Sequence, residues 1–245
     1  MHGKTVIITG CNRGIGKAIL EGMARRGTDI IAIIRDKKPD FEQFSEEMAR
    51  ECDVSIRMVY ADFSDEEAVK AAAKQIIQMK CPIDAIVHNT AVANESRSYM
   101  MTGVDEMKRV FQINFFSPIL LTQLLGRQMI RAKKGSIVFI ASAAIYDAWG
   151  NLEYTASKAA VAGAVKRLAR EMGAYGVRVN AVAPTLTETE MAEKMSKEDQ
   201  DVILSRNIMH RMGKPEEIAD AVAYLTSDES GFITGQILRV DGGLL

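Results

Sequence analysis

Short unbroken runs of apolar residues recur along the chain, separated by stretches in which apolar positions return every three to four residues. The runs are Thr5–Thr9, Ile30–Ile34, Ser55–Val59, Ala85–His88, Ser136–Ala141, Val177–Val182 and Gln236–Val240. They are rich in Val and Ile and mostly do not alternate with polar residues, which predicts central strands covered on both faces. Between them, Ile15–Arg26 sets Ile15, Ile19 and Met23 along one stripe and stops at Gly27, a common helix terminator. Asp65–Met79 begins with acidic residues, as a helix dipole favours. Pro215–Thr226 begins with proline and two glutamates, a good first turn. Val104–Arg131 and Glu153–Ala174 are long and apolar on more than one face, which predicts two long helices with burial beyond sheet packing alone.

Strands that alternate with helices imply right-handed βαβ units. The expected fold is therefore α/β: a single Rossmann-type, doubly wound domain over residues 1–245, with a seven-stranded parallel sheet and helices on both faces. No linker, repeat or low-complexity tract interrupts it. The length of 245 residues suffices for one substantial core. With 47% hydrophobic and 26% charged residues, the composition argues against disorder. A net charge of -1 gives no reason to expect a nucleic-acid surface.

Cys11, Cys52 and Cys81 are scattered and odd in number, which suggests neither a disulfide framework nor a zinc site and fits a reducing cytosol. The three histidines show no HxxxH or HExxH spacing, so no metal is expected. Met1-His2-Gly3-Lys4 leads straight into the first strand, and no uncharged apolar run could span a bilayer. A cytoplasmic protein without signal peptide or membrane partner is expected.

Candidate chemistry begins where the first strand ends, at Thr9-Gly10-Cys11-Asn12-Arg13-Gly14-Ile15-Gly16. Glycines in a strand-to-helix turn let the backbone approach a phosphate, and the helix N-terminus supplies unpaired N–H groups. The spacing is GxxxGxG rather than the commoner GxGxxG. Arg35 follows the second strand, where a dinucleotide fold reads the adenosine ribose. Together with Arg13 it suits a 2′-phosphate, which favours NADP(H) over NAD(H). Asp36, next in the chain, argues the other way, and Arg35 as a merely solvated loop residue is the plain alternative.

Tyr154 and Lys158 are four residues apart in Tyr154-Thr155-Ala156-Ser157-Lys158, on one face of a predicted helix. An ammonium beside a phenol favours the ionised form, lowers the pKa from about 10, and prepares the hydroxyl for proton transfer at a carbon–oxygen centre. An isolated YxxxK match is more often a helical Tyr near a surface Lys.

Thr9–Gly16, Asn89, Asn114, Ser142, Tyr154 and Lys158, in this order, resemble the short-chain dehydrogenase/reductase family, and the resemblance extends through Ile233–Gly243. Within the family, the length, Arg13 and the C-terminal stretch are most similar to 3-oxoacyl-acyl-carrier-protein reductases. The resemblance implies that Tyr154 is the general acid, that Lys158 tunes it and bonds the nicotinamide ribose, and that Ser142 holds the substrate oxygen. It implies that Asn114 anchors a water leading to Lys158. Gly10, Asn12, Arg13, Gly14, Ile15 and Gly16 would hold the cofactor phosphates, Asp62 would contact the adenine with Phe63 alongside, and Asn89 and Ala91 would line the cofactor after the fourth strand. Pro184, Thr187 and Thr189 would meet the nicotinamide carboxamide and phosphates.

Three departures from the family stand out. His88-Asn89-Thr90-Ala91 replaces Asn-Asn-Ala-Gly, Pro184-Thr185 replaces Pro-Gly, and the Ser142-to-Tyr154 interval is one residue short. Tyr146 and Trp149 in that interval would border the substrate, under a lid formed by Thr189–Met212.

The expected reaction is NADPH-dependent reduction of a 3-oxoacyl thioester, linked to acyl carrier protein or CoA, to the 3-hydroxyacyl product of fatty-acid synthesis. Dehydrogenation of a free alcohol, sugar or steroid and a non-catalytic NADP-binding regulator are the alternatives. An acyl carrier protein would need a basic patch, for which Arg131, Lys133, Lys134, Arg167 and Arg170 are candidates, although Tyr175 stands where a docking arginine is expected. The resemblance also implies a homotetramer.

Overall fold

In the computed structural model, residues 2–94 and 98–244 are described. The unbroken β-branched runs become the middle of a sheet. In chain order the elements are β1 (Thr5–Thr9), α1 (Gly14–Ala24), β2 (Asp29–Ile34), α2 (Pro39–Cys52), β3 (Ile56–Tyr60), α3 (Glu66–Gln78) and β4 (Ala85–His88). Then come α4 (Val104–Phe111), a π-turn (Gln112–Phe116), α5 (Ser117–Ala132), β5 (Gly135–Ile140), α6 (Ala144–Asp147), α7 (Leu152–Met172) and β6 (Val177–Pro184). The chain ends with α8 (Glu190–Glu193), α9 (Lys197–Ser205), α10 (Pro215–Thr226) and β7 (Ile237–Val240).

Among the described residues the seven strands form one all-parallel sheet in the order β3-β2-β1-β4-β5-β6-β7. The order reverses direction between β1 and β4, and a doubly wound sheet binds its ligand in the crevice at that switch. Side chains alternate across the strands. Ile7, Ile31, Ile137 and Phe139 pack on one face against α3, α5 and α7. Val6, Ile8, Ile30 and Val138 pack on the other against α1, α2 and α10. No helix of the described residues is long and apolar enough to cross a membrane.

Two elements differ from expectation. α2 is an additional helix whose Phe41, Phe44 and Met48 face the second core layer. The predicted single helix over Val104–Arg131 is instead two helices joined by the π-turn. Pro118 lacks an N–H for the ordinary ladder. The ladder widens just before it, where Ser117 N–H donates to Gln112 O, five residues back. Such turns often mark functional positions, and this one contains Asn114.

Candidate active site

The glycine turn is built by close approach of β1 to β4. Thr9 Oγ1 accepts from both Asn89 N and Thr90 N at 3.0 Å, joining the two strand ends at the switch point. Asn89 Nδ2 donates to Gly10 O at 2.8 Å. A Cβ at Gly16 would lie 2.5 Å from Asn89 Nδ2 and closer still to Gly10 O, so only glycine fits. Gly10 takes φ +67 with Thr90 directly over it. Thr90 thus covers the turn, and Ala91 is accommodated in the cleft wall. No acidic residue occupies the first turn of α1, so no side chain of that turn opposes an anion. The turn therefore suits a pyrophosphate, as a nicotinamide dinucleotide requires. Cys11 is fully buried here and its thiol is pushed up to about 12 by desolvation.

Tyr154 and Lys158, on α7, face Ser142 at the end of β5. Burial raises the Tyr154 pKa, and a hydrogen bond with Ser142 pulls the other way without reversing it. This departs from the sequence expectation that Lys158 depresses the phenol. The Lys158 ammonium instead donates to Ile140 O at 2.6 Å and lies 5.8 Å from the Tyr154 ring centroid. Burial itself lowers Lys158 to about 8.

Asn114 does not line the cleft. Its Oδ1 accepts from Val92 N at 2.9 Å, and its Nδ2 donates to Val92 O at 2.9 Å and Ser157 Oγ at 3.0 Å. Ser157 Oγ in turn donates to Tyr154 O at 2.7 Å. Both amide N–H groups are engaged, so the side chain acts as a clip between the β4 loop and α7. Ser157 and Glu153 add to this brace. Glu153, 2% exposed, accepts from Asn94 Nδ2 at 2.7 Å. Neither residue stood out in sequence, because their roles depend on contacts 43 and 59 positions away.

At the adenosine end, both arginines already have carboxylate partners. Arg13 Nη1 lies 2.6 Å from Glu190 Oε2, and Arg35 Nε lies 2.6 Å from Asp36 Oδ2. Burial pushes the Asp62 carboxyl up, but hydrogen bonds from Ser64 and the charges of Arg35 and Arg109 outweigh it, and its pKa is lowered. Phe63 is 4% exposed, belongs to the core layer beneath and still lines the cleft. Lys38 joins the wall here; it follows a strand end one loop from Arg35, which was the only signal for it.

A cleft of about 1170 Å³ gathers the turn residues Gly10, Asn12, Arg13, Gly14, Ile15 and Gly16 with Arg35, Asp62, Phe63, Asn89 and Ala91. It also gathers Ser142, Tyr154, Lys158, Pro184, Thr187 and Thr189. Thr187 Oγ1 donates to Thr185 O at 2.9 Å, and Thr189 Oγ1 to Thr187 O at 3.2 Å, so the segment after β6 folds back on itself. The roof beyond it comes from α8, α9 and the link between them, where Met191, Met195 and Ile203 line the cleft. Trp149 borders the cleft as expected. Tyr146 does not: its ring lies under the Arg239 guanidinium, 4.8 Å away.

The proposed docking cations are misplaced for a partner at this cleft. Lys133 and Lys134 immediately precede β5, at the opposite end of the strands, and Lys134 lies 3.2 Å from Asp84 just before β4. Arg131 is in the last turn of α5 beside them. Arg167, paired with Glu171, and Arg170 lie roughly 20 Å or more along α7 from Tyr154.

A switch-point cleft, a glycine turn and a Tyr–Lys–Ser group lining that cleft define a nicotinamide-dependent oxidoreductase acting on CH–OH or C=O groups. A family described as enoyl-(acyl carrier protein) reductase matches residues 10–245. The chain belongs to the short-chain dehydrogenase/reductase family. It is 34% identical to the 3-oxoacyl-[acyl-carrier-protein] reductase of Thermotoga maritima, covering 100% of this chain and 99% of that one. It is 35% identical to an uncharacterized oxidoreductase of Bacillus subtilis, covering 98% of each. Among solved structures, a 3-oxoacyl-[acyl-carrier protein] reductase with bound NAD from Brucella melitensis superposes with a TM-score of 0.90 at 31% identity, covering 99% of this chain and 91% of that one. A gluconate 5-dehydrogenase from Beutenbergia cavernae, described as putative and NAD(P) dependent, with bound NADP, also gives 0.90, at 30% identity and 100% and 97% coverage.

Proposed function

We propose that this protein uses NADPH to reduce a 3-oxoacyl thioester to the 3-hydroxyacyl product. The observation that carries this is the convergence of Ser142, Tyr154 and Lys158 below the glycine turn, in the same cleft. The bound nicotinamide would supply a hydride to the carbonyl carbon. Ser142 would hold the carbonyl oxygen by its hydroxyl, and Tyr154 would give that oxygen a proton. Burial keeps the phenol protonated at neutral pH, which suits an acid acting in the reductive direction. Lys158 would bond the nicotinamide ribose as it leaves the Ile140 carbonyl. Gly10, Asn12, Gly14, Ile15 and Gly16 would seat the pyrophosphate, with Asp62 and Phe63 at the adenine, Asn89 and Ala91 along the β4 side, and Pro184, Thr187 and Thr189 around the carboxamide.

Arg13, Arg35 and Lys38 at one end of the cleft support the choice of NADP(H). Similarity to 3-oxoacyl-[acyl-carrier-protein] reductases over the full chain supports the thioester. Residues 1–245 would act as a single domain within a cytoplasmic homotetramer. The position of the candidate docking cations, at the far end of the sheet, favours a second substrate class: a small ketone free of any carrier protein.

Purified protein should oxidise NADPH with acetoacetyl-CoA, and do so faster than NADH. Tyr154→Phe should lower kcat by about 10²- to 10⁴-fold. Full activity in that variant would remove Tyr154 as the acid. Turnover of free ketones without turnover of the thioester would establish the second class.

A further inference from the structure

Arg13 and Glu190 meet across the mouth of the cofactor cleft, bringing together residues 177 positions apart. Arg13 belongs to the glycine turn, and Glu190 opens α8 on the segment after β6. Thr189, beside Glu190, lies against the same turn: a Cβ on Gly14 would meet Thr189 Cγ2 at 3.1 Å. The two ionic side chains are 62% and 56% exposed, so each can swing away from the other. Arg35 differs in this respect, because its carboxylate partner Asp36 is its neighbour in the chain and moves with it.

We propose that Glu190 is a positioning residue that sets selectivity between the phosphorylated and unphosphorylated dinucleotides by competing for Arg13. This rests on the assignment of NADP(H) to the cleft. Without a 2′-phosphate, Glu190 holds the guanidinium against α8. A phosphate offers two acceptors in the fork geometry that arginine prefers, and an exposed carboxylate pair is weak enough to give way. An unphosphorylated ribose has no such group, so the Arg13–Glu190 pair persists when NAD(H) binds. Exchange of partners at Arg13 also releases one tether of the roof over the substrate.

The experiment is calorimetric titration of NADP+ and NAD+ into wild type, Glu190→Gln, Arg13→Gln and the double variant. Glu190→Gln should tighten NADP+ by about 2- to 5-fold, the range an exposed ion pair supports, and leave NAD+ unchanged. The double variant should match Arg13→Gln alone. Equal shifts for both cofactors, no shift for either, or an effect of Glu190→Gln that persists without Arg13 would each overturn the proposal. Tighter binding of NAD+ than NADP+ by wild type would instead overturn the NADP(H) assignment, while the change in selectivity on Glu190→Gln would still decide the role of Glu190.

Discussion

Two buried bases make the same demand on this molecule, for loss of a proton, in two separate windows of pH. Lys158 is 3% exposed and burial lowers its pKa to about 8. The unfolded chain keeps this proton up to about 10.4. Between those values the unfolded state binds more protons, so stability rises with pH across that window. At neutral pH the buried ammonium costs on the order of 3 kcal/mol. Lys158→Met, of similar length, should therefore raise stability in urea at pH 7 by up to that amount, flatten the rise at alkaline pH and abolish turnover. A destabilised variant would mean the contact with Ile140 outweighs the desolvation. His88 is buried against Phe139, its Nε2 lies 2.7 Å from Thr122 Oγ1, and burial lowers its pKa to about 3. The unfolded chain protonates this ring from about pH 6.5 downward, so stability falls as pH falls through that range. His88→Asn should flatten the acid side of the stability profile, measured by urea unfolding between neutral pH and pH 4.

Among the elements, the β1–α1 turn shows how far sequence reasoning reaches. The glycine spacing announced a phosphate cradle, and Gly16 is fixed by the proximity of Gly10 O and Asn89 Nδ2. Gly16→Ala should destabilise the fold by about 1–3 kcal/mol and weaken dinucleotide binding, as a thermal melt with and without NADP+ would reveal. Other features were hidden for identifiable reasons. The stripe of Phe41, Phe44 and Met48 in α2 is interrupted by charged residues and lacks a dense apolar run. The π-turn depends on how the ladder accommodates Pro118, and a helical period continues through it unchanged. The orientation of Lys158 could not be read from its spacing to Tyr154, because shared helical face does not specify which acceptor a long side chain finds. Pairings such as Arg13 with Glu190 require the assembled sheet.

At the level of the whole molecule, alternation of strand and helix was enough to give the sheet, its parallel sense and the end at which the cleft opens. The surface was less legible, since identical cations look equivalent until strand direction assigns them to one end. Two groups of exposed apolar side chains would be covered in the proposed tetramer. Met100, Met101, Val104 and Phe116 are exposed around α4 and the π-turn, and Phe232 and Leu238 near the edge strand β7. Sedimentation equilibrium should show a four-chain species, and a 27.0 kDa monomer at micromolar concentration would refute the tetramer. The roof has an apolar nucleus of its own, in which Leu186, Ala192 and Ile203 pack with Trp149, Met195, Leu204 and Met212, separate from the two layers flanking the sheet. Appetite for a different ketone could thus be acquired by rewriting a handful of these side chains. The proton-handling floor beneath would be inherited intact, which makes this small nucleus the natural place for new specificities to arise.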